Sequence, residues 1–94
     1  MQEIPGPQHP GSLVKAEMEG LGLSINAFAR KLDVSPATIH RLVTEKSAIS
    51  PEMAVRLSMT VGLSARLWMQ RQAEYDLWRV RQQGTIGKLP VLRA

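Results

Sequence analysis

Cysteine is absent from the sequence, and its absence excludes several kinds of chemistry. A chain without cysteine forms no disulfide, binds no zinc through thiolates and has no thiol nucleophile. The composition fits a reducing compartment, and we expect a cytoplasmic location. The histidines His9 and His40 lie apart from any local cluster of other metal ligands. We therefore expect no metal and no other cofactor.

Long apolar runs are absent as well. No run approaches the roughly 20 residues that a membrane-spanning helix requires, so we expect no membrane partner. The N-terminal MQEIPGPQHPG has neither a basic start nor an apolar segment, and no signal peptide is predicted. A chain of 94 residues forms one domain at most, with a modest core.

Acidic residues are fewer than basic ones, and the charges are unevenly distributed. The formal net charge is +4, and the pI is about 10.1. Residues 1–23 carry a net charge of −2, residues 24–47 one of +2 and residues 65–94 one of +4. This asymmetry favours a polyanionic partner such as a nucleic acid, but basic charge alone does not identify one.

Helix start and stop signals predict an all-α domain, with no strand and no internal repeat. Ser35-Pro36 and Ser50-Pro51 each combine an N-cap serine with proline at the first helical position. The predicted segments are an extended N-terminal arm (1–11), five helices over about 12–20, 24–32, 35–44, 51–61 and 65–83, and a C-terminal tail (84–94).

The third predicted helix has one apolar face and one polar, basic face. On a helical wheel, Ile39, Leu42 and Val43 cluster on one side. The opposite side carries Ala37, His40, Arg41 and Thr44. A short helix that is anchored along one face fits the DNA major groove, which is about 12 Å wide. The same pattern also occurs in ordinary αα-hairpins of small helical bundles, so the wheel alone leaves both interpretations open.

The spacing around the turn resembles the helix-turn-helix of Cro-like and phage-repressor proteins. Ala29 lies where two helices pack closely, Val34 follows the turn residue, and Ile39 comes five residues later. Asp33 occupies the turn position that usually holds glycine in those proteins, and aspartate tolerates the left-handed conformation.

Longer segments resemble the HigA (VapI-like) family of antitoxins over about residues 9–80. They are HPGSL (9–13), GLSINAFARKLDVSPATIHRLV (22–43), ISPEMAVRLS (49–58), and LW with QAEYDLW (67–78). The resemblance implies a five-helix, lambda-repressor-like fold, a homodimer, and repression of its own operon. It also implies binding and neutralisation of a toxin that cleaves mRNA on the ribosome. Thr44-Glu45 departs from the Asn-Gly that usually follows the recognition helix in this family.

Aligned with repressor helix-turn-helix motifs, three residues are expected to face base edges: Pro36, Ala37 and Arg41. Arg41 is the main candidate for specificity, because arginine can bond two acceptors of guanine at once. Ala37 suits contact with a thymine methyl group. The expected contacts to the DNA backbone are Asn26, Ser35, Thr38, Thr44 and Lys46.

The fifth predicted helix has two apolar stripes, where a surface helix needs only one. The first stripe consists of Leu67, Trp68, Tyr75 and Trp78, and the second of Met69, Ala73, Leu77 and Val80. We interpret one stripe as facing the core and the other as facing a second subunit. Because aromatic residues favour interfaces, Trp68, Tyr75 and Trp78 are the predicted dimer contacts. Which stripe forms the dimer stays open.

Two other functions compete with that of a DNA-binding antitoxin. A stand-alone phage-type repressor would share the helix-turn-helix but lack a toxin partner. A protein-binding helical adaptor would show no salt-dependent affinity for DNA. An enzyme is not expected, because the sequence has no thiol and no phosphate-binding loop. The candidate toxin surfaces are the N-terminal arm, the C-terminal tail and the first helix, whose acidic residues are Glu17 and Glu19.

Overall fold

The computed structural model describes residues 6–93, which form five helices and no strand. The helices are α1 (Pro10–Gly20), α2 (Ile25–Leu32), α3 (Pro36–Val43), α4 (Pro51–Val61) and α5 (Ala65–Gln83). The predicted all-α class with a long C-terminal helix is confirmed, because α5 spans 19 residues while the other helices span 8 to 11.

Helices α2 to α5 each begin directly after a serine. The hydroxyl oxygen of this serine accepts a hydrogen bond from the backbone amide three residues later. The four pairs are Ser24 with Ala27, Ser35 with Thr38, Ser50 with Met53, and Ser64 with Leu67. Such a cap stabilises a helix by about 1 kcal/mol relative to alanine. These N-cap serines therefore explain why the sequence predicted the four helix starts.

Helix α1 begins at Pro10, two residues earlier than predicted. Its N-cap is His9, whose Nδ1 accepts a hydrogen bond of 2.9 Å from the Gly11 amide. Gly11 is buried, and a Cβ atom at this position would overlap the carbonyl oxygen of Leu42. The predicted arm is therefore too long at its C-terminal end, because this close approach between α1 and α3 requires a glycine inside the fold.

Residues 6–9 of the predicted arm are not helical and lie against α5. The His9 ring is buried and meets the Tyr75 ring edge-on, with 4.9 Å between ring centroids. Gly6 lies against the indole of Trp78 so closely that a Cβ atom would overlap the ring. Residues 1–5 of the arm lie outside the described residues. Residues 84–93 form an exposed, non-helical segment.

One apolar cluster joins all five helices. Its members include Val14 of α1, Phe28 of α2, Ile39 of α3, Leu57 of α4 and Trp68 of α5, each 1% exposed or less. Helix α2 packs against α3 and α4, whereas α1 packs against α3 and α5. Helix α3 is thus supported by α1 and α2, and its remaining surface stays open.

Candidate nucleic-acid interface

Helix α3 is anchored along one face and exposed along the other. Ile39 and Leu42 are buried in the core, and Val43 is half-buried beside them. The opposite face exposes Pro36, Ala37, His40, Arg41 and Thr44. The structure therefore brings the three predicted base-contacting residues to one open surface.

The turn before α3 has the left-handed residue that the sequence suggested. Asp33 has φ 58° and ψ 48°, and its amide donates to the Arg30 carbonyl at 3.2 Å. The Val34 amide donates to the Ala29 carbonyl at 3.0 Å, which closes the end of α2. Ala29 is fully buried where α2 packs, and a larger side chain would have no room there. Aspartate thus replaces the usual glycine without disrupting the turn.

An open cleft of about 190 Å³, with polar and apolar lining residues, lies beside the exposed face of α3. Arg41 lines it together with Thr38, Ser47 and Ser50. Ser47 and Ser50 were not among the predicted contacts, because the sequence does not show that the chain returns beside Arg41 after α3. Hydroxyl groups and an arginine around one cleft are suited to phosphate oxygens.

Most of the predicted DNA-backbone contacts are exposed near α3. Asn26, Ser35 and Lys46 are exposed, and Thr38 is half-buried. The hydroxyl oxygens of Ser35 and Thr38 lie 2.9 Å apart. One of the two hydroxyl groups donates its hydrogen to the other. The accepting hydroxyl therefore still has its own hydrogen to donate to a phosphate oxygen.

Thr44 lies at the end of α3 with its hydroxyl hydrogen-bonded to its own helix. Its hydroxyl donates to the His40 carbonyl at 2.6 Å and is turned back onto α3. Thr44 is nevertheless exposed, so its contact with the DNA backbone stays a prediction.

The turn after α3 is closed by backbone hydrogen bonds, although it has Thr44-Glu45 where the HigA family usually has Asn-Gly. Glu45 takes the left-handed conformation, with φ 64°. The Lys46 amide donates to the Arg41 carbonyl at 2.8 Å, and the Glu45 amide donates to the Leu42 carbonyl at 3.1 Å. These bonds hold the exposed Lys46 next to the end of α3.

Two polar side chains that the sequence reasoning missed connect this region to the rest of the fold. Arg56 of α4 donates from Nη1 to the Leu32 carbonyl at 2.8 Å, at the end of α2. Gln72 of α5 is buried, and its Oε1 accepts a hydrogen bond of 2.8 Å from the Ile49 amide. The partners are 24 and 23 residues away along the chain, and no local pattern points to them.

The aromatic stripe of α5 faces its own chain. Trp68 is fully buried in the core and has no surface to offer a second subunit, so its predicted place in a dimer interface is wrong. Tyr75 and Trp78 are half-buried, partly beneath residues 6–9. The second stripe is open only in its C-terminal part, where Leu77 is 54% and Val80 44% exposed. Met69, at its start, is half-buried against the core.

Within the described part of the chain, no group of three or more possible His, Cys, Asp or Glu ligands could hold a metal ion. None of the helices among residues 6–93 has the length and apolar character needed to cross a membrane.

A buried apolar face on α3, a left-handed turn after α2 and an open outer face together define a helix-turn-helix protein. Residues 14–68, more than half of the chain, match the helix-turn-helix family HTH_3, and the chain belongs to this family. The expectation that the protein is not an enzyme agrees with this membership.

Individual relatives extend the match over most of the chain. An uncharacterised HTH-type transcriptional regulator of Escherichia coli, YddM, is 32% identical over 80 residues, covering 85% of each protein. Virulence-associated protein I of Dichelobacter nodosus is 37% identical over 75 residues, covering 79% of this chain and 69% of the relative.

Among solved structures, the Pseudomonas aeruginosa antitoxin HigA with the higBA promoter superposes with a TM-score of 0.76. It is 34% identical, and the match covers 89% of this chain and 99% of that chain. The resemblance to HigA and VapI-like proteins that the sequence motifs indicated is confirmed.

Proposed function

We propose that this chain is a sequence-specific DNA-binding repressor that acts on the operator of its own gene. The observation that carries the proposal is the exposed face of α3, with Pro36, Ala37 and Arg41 side by side, in a fold similar to a HigA solved with its promoter. An anchored helix with short side chains near its N-terminus can approach base edges in the major groove.

The exposed residues divide between base reading and backbone contact. Arg41 reads a guanine through paired hydrogen bonds, and Ala37 contacts a thymine methyl group. Asn26, Ser35, Thr38 and Lys46 bond phosphates and fix the register of the protein on the duplex. Ser47 and Ser50 add hydroxyl groups to the cleft beside Arg41.

The test of this proposal is a titration of DNA from directly upstream of the gene against a scrambled fragment of equal length, at two salt concentrations. Specific binding that weakens steeply with salt is expected, because binding releases counterions from neutralised phosphates. Equal affinity for both fragments would contradict a repressor, and the α2–α3 surface would then belong to a protein-binding adaptor.

The protein is proposed to act as a two-fold dimer through the open stripe of α5. Ala73, Leu77 and Val80 lie on this stripe and are exposed in the single chain. A two-fold dimer presents two copies of α3 to half-sites about 34 Å apart, which predicts a palindromic operator. Tyr75 and Trp78 lie on the other stripe, against residues 6–9, and they remain predicted dimer contacts.

The second proposed activity is binding and neutralising a partner toxin that cleaves mRNA. The support is the similarity to HigA-type antitoxins together with an acidic end of α1. Glu17 and Glu19 lie in the last turn of α1, where the helix dipole is also negative and where there is no basic residue. A mainly apolar cleft of about 240 Å³ lies just beyond, and it is lined by Leu21, Leu23, Phe28, Lys31 and Thr60.

A protein that binds RNA is expected to be basic, and such a partner complements the acidic end of α1. Glu19→Lys, alone and combined with Glu17→Lys, is expected to weaken capture of the product of the adjacent reading frame on co-expression. Glu74→Lys is the matched control, since Glu74 is exposed on α5. Unchanged capture by the α1 variants would discard this surface. Specific DNA binding without any co-purifying protein would indicate a stand-alone repressor.

A further inference from the structure

The end of α2 carries two carbonyl groups that receive their hydrogen bonds from outside the helix-turn-helix. Arg56 of α4 donates from Nη1 to the Leu32 carbonyl at 2.8 Å and to the Asp33 carbonyl at 3.3 Å. Leu32 is the last residue of α2, and Asp33 begins the turn that leads into α3. A single guanidinium therefore connects α4 to the point that determines the angle between the two helices.

A second contact holds Arg56 in this orientation. Glu52, one helical turn earlier on α4, accepts hydrogen bonds from Nη2 at 2.8 Å and from Nε at 3.3 Å. The side chains of Arg56 and Glu52 are 32% and 76% exposed, so the ion pair itself contributes little to stability. Its effect is geometric, because two bonds to one carboxylate oxygen aim the remaining nitrogen at the turn.

The turn needs such support because of the residue it contains. Asp33 adopts φ 58°, a conformation that costs free energy for a residue with a Cβ atom. A glycine would relieve this cost, but the chain has aspartate. The two carbonyl bonds from Arg56 offset the tendency of the turn to relax towards other backbone conformations.

We propose that Arg56 is a positioning residue for DNA recognition: it holds the turn so that α3 presents Arg41 in register with the backbone contacts of α2. This role rests on the proposed function. It requires no contact between Arg56 and DNA. Through Arg56, α4 would thus contribute to operator recognition, in addition to the exposed residues of α3.

The test compares Arg56→Met with wild type on the upstream fragment and on scrambled DNA. Methionine keeps the apolar stem of the side chain and removes every donor. Operator affinity is expected to fall about tenfold, the effect of losing one charge-assisted hydrogen bond that maintains the reading geometry. Affinity for scrambled DNA is expected to stay within about twofold, because phosphate contacts tolerate a small change of angle.

Ser64→Ala is the control for a purely structural effect. It removes the N-cap of α5, away from the turn, and is expected to lower the melting temperature without changing the preference for the operator. Hydrogen exchange of the Val34 amide supplies a readout that does not depend on DNA, and it is expected to accelerate in Arg56→Met and not in Ser64→Ala.

The DNA-binding measurements on Arg56→Met distinguish a positioning role from a general effect on charge or stability. A parallel loss of affinity for both DNA fragments would show that Arg56 contributes only charge or stability, and it would overturn the proposal. An unchanged operator preference would overturn it as well. If wild type itself shows no preference for the operator, the proposed function fails, and that result is visible before any variant is measured.

Discussion

At the scale of single residues, the ends of α3 are notable because both adjoining turns hold a residue with positive φ that is not glycine. Asp33 precedes the helix, and Glu45 follows it. Each residue donates its amide to a carbonyl of the preceding helix, so hydrogen bonds compensate for the unfavourable backbone conformation. The position of the helix proposed to read DNA therefore depends on two turns with unfavourable backbone conformations.

Replacement of Glu45 by glycine is expected to stabilise the protein by about 0.5–1 kcal/mol. Glycine avoids the penalty of the left-handed conformation, and part of this gain is lost to the greater entropy of the unfolded chain. The measurement is the free energy of unfolding in urea. Glu45→Gln is the control, because it removes the charge but keeps the backbone cost. An equal gain in both variants would show that charge, and not backbone conformation, limits stability here.

At the scale of elements, α5 performs different tasks along its different faces. Trp68 completes the core, and Gln72 connects the helix to the loop before α4 through the Ile49 amide. The same Gln72 donates from Nε2 to Asp76 at 3.0 Å, so its amide group is oriented from both sides. The opposite side of the helix exposes Leu77 and Val80. One helix thereby joins the core to the apolar surface that is proposed to form the dimer.

Leu77→Glu is expected to convert a dimer into a monomer, because a carboxylate in the centre of an apolar interface would be buried without a partner. The measurement is the mass in solution by sedimentation equilibrium, which should fall from about twice the chain mass of 10.4 kDa to that of one chain.

Leu21→Glu is the matched control, since Leu21 and Leu77 are both 54% exposed and lie on different elements. It should leave the mass unchanged. A wild-type protein that is already monomeric, or a dimer that survives Leu77→Glu, would contradict the assignment of this stripe.

At the scale of the whole molecule, the sequence predicted features that depend on local chemistry and missed those that depend on distant contacts. Four serine caps and the amphipathic pattern of α3 indicated the helix order and the open face correctly. The earlier start of α1 was missed because histidine is an uncommon N-cap and Gly11 is needed only where it meets Leu42. Periodicity showed two stripes on α5 but could not tell which one faced the core, so Trp68 was assigned to the wrong side.

The same distinction applies to the candidate site. The common exposure of Pro36, Ala37 and Arg41 was predictable because one helix carries them on one face, and their contact with DNA bases stays a prediction. The Glu52–Arg56 spacing of four residues is visible in the sequence as a possible ion pair. That Arg56 also reaches the α2–α3 turn follows only from the packing of α4 beneath it.

The central claim is that α3 reads operator bases through Arg41, and the most direct measurement is the affinity of Arg41→Ala for the upstream DNA fragment. Arg79→Ala serves as the control, because it removes the same charge from an exposed position on α5. Arg41→Ala is expected to lose about 1–3 kcal/mol of operator binding and to discriminate less at one base pair, whereas Arg79→Ala retains both. If the two variants lose equal affinity, or if Arg41→Ala binds the operator as wild type does, then α3 is not the reading helix.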